Sequence, residues 1–210
     1  TMVQYLLREP KSATEEPSLL LLLHGYGSNE QDLFSFAEEL PDDAYVISLR
    51  ALHETPMGGY SWYDLDFTTG ARMVDINQAI ESQQIIIQFL DQVKEKYPFD
   101  DTKITLLGFS QGAILSFSLA LHHPEKFEKI VCLSGYPDPE LIKDVNLGQD
   151  FSHLEFFFSH GKEDPVIPIV WSRQFKAICE EIDLDYEYHE YDQGHGINAE
   201  NYYDMLNFLR

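Results

Sequence analysis

Seven apolar, β-rich runs recur along the chain, at residues 3–7, 19–23, 45–49, 104–107, 130–133, 154–158 and 184–188. Most are continuous rather than alternating. A strand buried on both faces is written that way, because helices above and below a mostly parallel sheet leave neither face to water. Helical periodicity lies between the runs. Over 74–97, Ile76, Ile80, Gln83, Ile87, Leu90 and Val93 return at three- and four-residue steps and Pro98 closes the pattern, which predicts one long packing helix. A second helix is predicted over 111–123, ended by Pro124, with Ile114, Phe117, Ser118 and Leu121 on one face, and further helices over 30–40, 170–182 and 198–209. Strands alternating with helices make the class α/β, with about seven strands in a central, mostly parallel sheet flanked by helices on both faces. The polar stretch 9–17 reads as a hairpin connection between the first two strands, and the least regular stretch is 51–71, rich in Gly, Tyr and Thr. Long loops at strand ends often carry the site.

Composition narrows this picture. A chain of 210 residues, 44% of them hydrophobic, is expected to form one domain spanning residues 1–210. Its net charge of -22 repels a phosphate backbone and an anionic membrane surface, so neither nucleic acid nor membrane is an expected partner. The acidity otherwise reads as a solvated surface. Cys132 and Cys179 lack Cys-x-x-Cys or Cys/His ligand spacing and read as buried thiols. The longest apolar run, 19–23, is far too short to span a bilayer, and no basic start, apolar segment and small-residue cleavage site follow one another at the N-terminus. The cytoplasm is the expected compartment. No His-x-x-x-His, EF-hand or phosphate-loop pattern occurs, and His122 and His123 diverge on a helix end, so neither a metal nor a cofactor is expected.

The candidate chemistry begins where the run 104–107 leads into Gly108-Phe109-Ser110-Gln111-Gly112. A Gly-x-Ser-x-Gly string arises by chance in roughly one chain in fifteen of this length, so its context must decide. Here the serine stands where a buried strand turns sharply into a helix, as in a nucleophile elbow. A serine hydroxyl needs an imidazole to take its proton, and the imidazole needs a carboxylate to fix its tautomer. Asp164, in the loop after the strand 154–158, is the chosen acid, ahead of Glu163, Asp192 and Asp138. His195, between Gly194 and Gly196 after the last strand, is the chosen base. Each taken singly also fits an ordinary turn residue. Their order, Ser110, Asp164, His195, is that of α/β-hydrolases. The loop His24-Gly25-Tyr26-Gly27 after the strand 19–23 offers donors for an oxyanion, with the Tyr26 and Gln111 amides as the expected pair. Trp62, Tyr63 and Met57 in the irregular loop are candidates to line an acyl pocket, although Trp62 and Tyr63 fit equally well as anchors of that loop to the core.

Taken together, Leu23-His24-Gly25-Tyr26-Gly27, Trp62-Tyr63-Asp64, Gly108-Phe109-Ser110-Gln111-Gly112, His160-Gly161 leading to Asp164, and Gly194-His195-Gly196-Ile197 give the chain its likeness. From about residue 18 onward it resembles the phospholipase/carboxylesterase family of small α/β-hydrolases, which includes the acyl-protein thioesterases. The resemblance implies an α/β-hydrolase fold without a lid domain, hydrolysis of carboxylic esters of short or medium acyl chains, Ser110, Asp164 and His195 as triad, and the Tyr26 and Gln111 amides as oxyanion donors. It is compatible with a homodimer. Members that deacylate lipidated proteins commonly carry Leu-Gly-Asp after His-Gly, whereas this chain has Tyr26-Gly27-Ser28, which argues against long-chain protein deacylation. The segment Gly58-Gly59-Tyr60 before Ser61-Trp62 is closer to the bacterial esterase branch. The expectation is a bacterial-type carboxylesterase acting on a small-molecule ester. The alternatives are an acyl-protein or acyl-CoA thioesterase, then a serine peptidase or a catalytically silent binding module.

Overall fold

The computed structural model describes residues 3–66 and 73–210. One seven-stranded sheet contains β1 (Tyr5–Arg8), β2 (Ser18–Leu23), β3 (Ala44–Leu49), β4 (Ile104–Phe109), β5 (Lys129–Leu133), β6 (Glu155–Gly161) and β7 (Asp185–Tyr191), in the order β1-β3-β2-β4-β5-β6-β7. All neighbours are parallel except β1 and β3. The chain adopts the α/β-hydrolase fold.

The continuous apolar runs follow from burial on both sheet faces. In β2, Leu19, Leu21 and Leu23 enter one core while Leu20 and Leu22 enter the other, because successive side chains of a strand point to opposite faces. The same division separates Phe156 and Phe158 from Phe157 in β6. The first core is closed by α1 (Ile76–Lys96), α2 (Gln111–His122) and α5 (Gln174–Glu181), through residues such as Phe89, Phe117 and Phe175. The second is closed by Leu33, Ala37 and Leu40 and by Met205, Leu206 and Leu209 of α6 (Ala199–Leu209).

Local chemistry sets the helix ends. The Asp75 carboxylate accepts the Gln78 N–H at the start of α1, and Asn198 does the same for Asn201 in α6. Helix α2 is buried along its whole length from Gln111 to Leu121 rather than on one stripe, because the sheet packs on one side and α1 with α3 (Pro139–Ile142) on the other.

Three expectations are corrected. Residues 9–17 do not close a hairpin, since β1 pairs antiparallel with β3 rather than β2. The predicted helix 30–40 is only a 3-10 turn at Leu33–Phe36, where the Arg8 guanidinium ties down the Ala37, Leu40 and Pro41 carbonyls that a longer helix would arrange differently. The helix predicted over 170–182 divides at Arg173 into α4 (Ile169–Ser172) and α5. Within the irregular stretch, His53–Glu54 pairs with Tyr60–Ser61 and Leu65–Asp66 with Met73–Val74; residues 67–71 lie outside the described residues.

Candidate active site

Ser110 stands between β4 and α2 with φ 56° and ψ -115°, a left-handed backbone that a residue with a Cβ adopts only under strain. The two flanking glycines make room for the turn. A Cβ on Gly108 would lie 2.2 Å from the Gly112 carbonyl oxygen, and one on Gly112 would lie 1.9 Å from that of Leu23. The Ser110 N–H is held by the Leu133 carbonyl at 2.8 Å, which fixes the turn to β5.

Two loops at the carboxyl ends of β6 and β7 meet this serine, as expected for a site in an open parallel sheet. His195 Nε2 lies 3.0 Å from Ser110 Oγ and its Nδ1 lies 2.7 Å from Asp164 Oδ2. The carboxylate can only accept, so Nδ1 carries a proton and Nε2 is free to accept from the serine hydroxyl. The Asp164 side chain has no exposed surface, and its other oxygen takes the Val166 and Ile167 N–H groups at 2.8 and 2.9 Å. Asp164 thus also makes the turn that an Asp-Pro pair leads one to expect. The His195 ring packs against Phe109 at 5.0 Å and keeps 19% of its side-chain surface exposed.

The loop after β2 approaches from the other side. A Cβ on Gly25 would be 3.3 Å from Ser110 Cβ. Gln111 opens α2, so its amide is among those without an acceptor inside the helix. Tyr26 is half-buried in the same loop.

A model of the phospholipase/carboxylesterase family matches residues 9–210, nearly the whole chain. The chain belongs to that family. It is similar to the acyl-protein thioesterase 1 of Kluyveromyces lactis, 26% identical over 97% of this chain and 95% of the relative. It is also similar to that of Saccharomyces cerevisiae, 30% identical over 76% of this chain and 73% of the relative. The Bacillus cereus carboxylesterase superimposes with a TM-score of 0.85 at 24% identity, over 99% of this chain and 93% of that one, a likeness of fold. Membership makes the protein a hydrolase of the carboxylesterase/thioesterase type.

Within this family member, the other sequence candidates are distributed as follows. Trp62 and Tyr63 are each only 1% exposed, so they offer a ligand almost no surface and take the anchoring alternative. The Trp62 indole N–H donates to the His24 carbonyl at 2.9 Å, and the Ser82 hydroxyl donates to the Trp62 carbonyl at 2.5 Å. Met57 is 98% exposed at the tip of its loop, so its side chain stands almost wholly in solvent. Among the rival acids, Asp192 is exposed beside Lys162, Glu163 is exposed, and Asp138 accepts the Tyr136 hydroxyl and the Glu140 amide at the start of α3. None approaches His195 as Asp164 does.

His24 binds its own loop. Its Nε2 accepts the Ala51 N–H at 3.0 Å, so Nδ1 is protonated and donates to the Gly25 carbonyl at 2.7 Å. Burial pushes its pKa down and keeps the ring neutral. Both cysteines are buried free thiols whose pKa burial raises, that of Cys179 to about 12.

Two contributors were given no role from sequence, although His160 stood in the motif leading to Asp164. Glu30, buried beyond the glycine loop, pairs with Arg50 at 2.6 Å, and the Arg50 guanidinium lies 4.6 Å from the centre of the Tyr60 ring. The Tyr60 backbone in turn pairs with Gly27 and Ser28. His160 stands beside Asp164. A histidine just after the apolar run 154–158, four residues before the chosen acid, was the available signal for the second. Among the described residues, no three His, Cys, Asp or Glu side chains gather as a metal ion requires, and no helix is long and apolar enough to cross a membrane.

Proposed function

We propose that the protein is a serine carboxylesterase that cleaves carboxylic esters of short to medium acyl chains through Ser110, His195 and Asp164. The observation that carries this reading is the unbroken path from Ser110 Oγ to His195 Nε2 at 3.0 Å and from His195 Nδ1 to Asp164 Oδ2 at 2.7 Å, with the serine on a strained elbow. Ser110 Oγ attacks the ester carbonyl carbon while His195 Nε2 takes its proton. The Tyr26 and Gln111 amides receive the developing oxyanion. As the C–O bond breaks, the imidazolium returns that proton to the leaving alcohol. Water, deprotonated by the same nitrogen, then attacks the acyl-enzyme, and the proton passes back to Ser110. Asp164 stays ionised and holds the tautomer throughout.

A thioesterase is the second reading, favoured by the yeast acyl-protein thioesterases that align with most of the chain. The same serine chemistry cleaves a thioester. Turnover of p-nitrophenyl esters from acetate to palmitate, beside thioesters of the same acyl chains, separates the two. Carboxylesterase activity predicts preference for esters with a maximum at short or medium length, whereas a preference for long-chain thioesters would replace that reading with the second. Ser110→Ala is expected to lower kcat about 10⁴-fold or more; turnover close to that of the unsubstituted protein would remove the serine from its role.

A further inference from the structure

Asp164 has a second histidine beside it. His160 Nε2 lies 3.3 Å from the same Asp164 Oδ2 that His195 reaches, and 2.8 Å from the Ile167 carbonyl oxygen. Both neighbours of this nitrogen accept only, so Nε2 carries the ring proton and the Ile167 oxygen, the shorter contact, receives it. Nδ1 is then bare, and it is buried without a hydrogen-bond partner. The ring is fully buried, and burial, outweighing the Ile167 carbonyl and the Asp164 charge, pushes its pKa down and keeps it neutral. An unpartnered ring nitrogen in the core is unfavourable, and Phe156 and Phe158 on the same face of β6 avoid it.

What the imidazole offers and a phenyl ring cannot is a closed circuit. Its N–H holds the Ile167 carbonyl, the Ile167 and Val166 N–H groups hold Asp164 Oδ1, and Asp164 Oδ2 faces both histidines. We propose that His160 is a positioning residue, which locks the 164–167 turn around Asp164 through the Ile167 carbonyl and so holds Oδ2 in place for His195. The inference rests on the reading of Ser110, His195 and Asp164 given above. Besides Asp164, the groups acting on the ring are His195 and Glu190, its register partner on β7, which is paired with Arg173 at 2.8 Å.

Replacement by Phe keeps an aromatic ring and deletes the donor, while Gln returns an N–H near the position of Nε2. In His160→Phe, kcat is expected to fall about tenfold with little change in KM, since the hydrogen bond that holds the turn around Asp164 is lost. His160→Gln should recover most of the lost kcat. A folded His160→Phe protein with unmoved kcat overturns the proposal. Should that variant not fold, nitrogen NMR of the unsubstituted protein decides: a bare Nδ1 and protonated Nε2 on His160 through neutral pH support it, and a protonated Nδ1 or a charged ring defeats it. Labelling of Ser110 by a fluorophosphonate separates the two levels. An unreactive parent protein sinks the proposed function, while a reactive parent with an indifferent His160→Phe variant sinks only the role of His160.

Discussion

The side-chain amide of Gln111 accepts the main-chain N–H of Trp62 at 2.7 Å. Its other end donates to the Tyr63 carbonyl at 2.8 Å, so the residue after the proposed nucleophile grips the aromatic loop through two buried backbone groups. Gln111→Leu removes both hydrogen bonds while preserving the residue's own amide as an oxyanion donor. The expected loss of stability is about 1–3 kcal/mol, from two lost buried hydrogen bonds, measurable by urea denaturation. A change within error would mean that water or a shifted loop replaces the amide without penalty.

The strain at Ser110 gives a prediction of opposite sign. With φ 56° and ψ -115°, the position suits glycine better than any residue carrying a Cβ. Ser110→Gly should therefore be more stable than Ser110→Ala by about 1 kcal/mol, once the greater freedom of glycine in the unfolded chain is offset against the relieved strain. Thermal denaturation of the two variants compares them directly, and an alanine variant equal or superior in Tm would show that the elbow is relaxed.

How much of this was legible in the sequence depends on where each signal resides. Strands β2 to β6 were readable because burial on both faces leaves continuous apolar runs such as 19–23. The elbow and the loops bearing Asp164 and His195 could be placed because glycines and the ends of those strands mark them. Strand neighbours could not be read: nothing in residues 9–17 says that β1 will pair with β3 across the sheet rather than with β2. The turn at Leu33–Phe36 was mistaken for a helix because its apolar spacing is helical, while the Arg8 contacts that hold it come from a remote strand. Trp62 shows the same limit. Its burial depends on partners at His24, Ser82 and Gln111, which only the fold brings together.

Stability should fall on mild acidification. His24 and His160 both have pKa values pushed down by burial, below the 6.5 of a free imidazole. Both are neutral when folded, so the unfolded chain binds more protons once pH drops through about 6.5. Their contribution is complete above that value and declines below it, by up to about 1.4 kcal/mol per pH unit for each ring until its folded pKa is reached. Urea midpoints at neutral pH and at successive steps below it should show this slope, and His160→Phe should make it shallower. A variant with the parent's slope would mean that the His160 ring is not held neutral.

The Glu30–Arg50 pair is expected to act on turnover. Arg50 is bonded to the buried Glu30 and stacked on Tyr60, whose backbone holds Gly27 and Ser28 of the proposed oxyanion loop. Arg50→Ala frees that loop, and a misplacement of about 1 Å is enough to cost up to about a hundredfold in rate. The expected outcome is a kcat lowered by at least about tenfold with KM less affected. Equal kcat in Arg50→Ala and parent would show that the loop keeps its place without the pair.

Gly161 controls the distance between the two loops that carry the proposed acid and base. It ends β6, and a Cβ there would lie 2.1 Å from the Gly194 carbonyl oxygen and 2.3 Å from that of Gln193, both immediately before His195. These are backbone atoms, so no side-chain rotation relieves the clash, and Gly161→Ala must push the 193–195 segment away from β6. The 2.7 Å contact between His195 and Asp164 spans the same gap and would lengthen with it. The expected result is a fall in kcat/KM of about a hundredfold or more, with a lowered Tm as the Lys162 and Glu163 amides lose their partners at Tyr191 and Gln193. Retention of kcat/KM with a lowered Tm would mean that the loop yields elsewhere and that Gly161 serves packing alone.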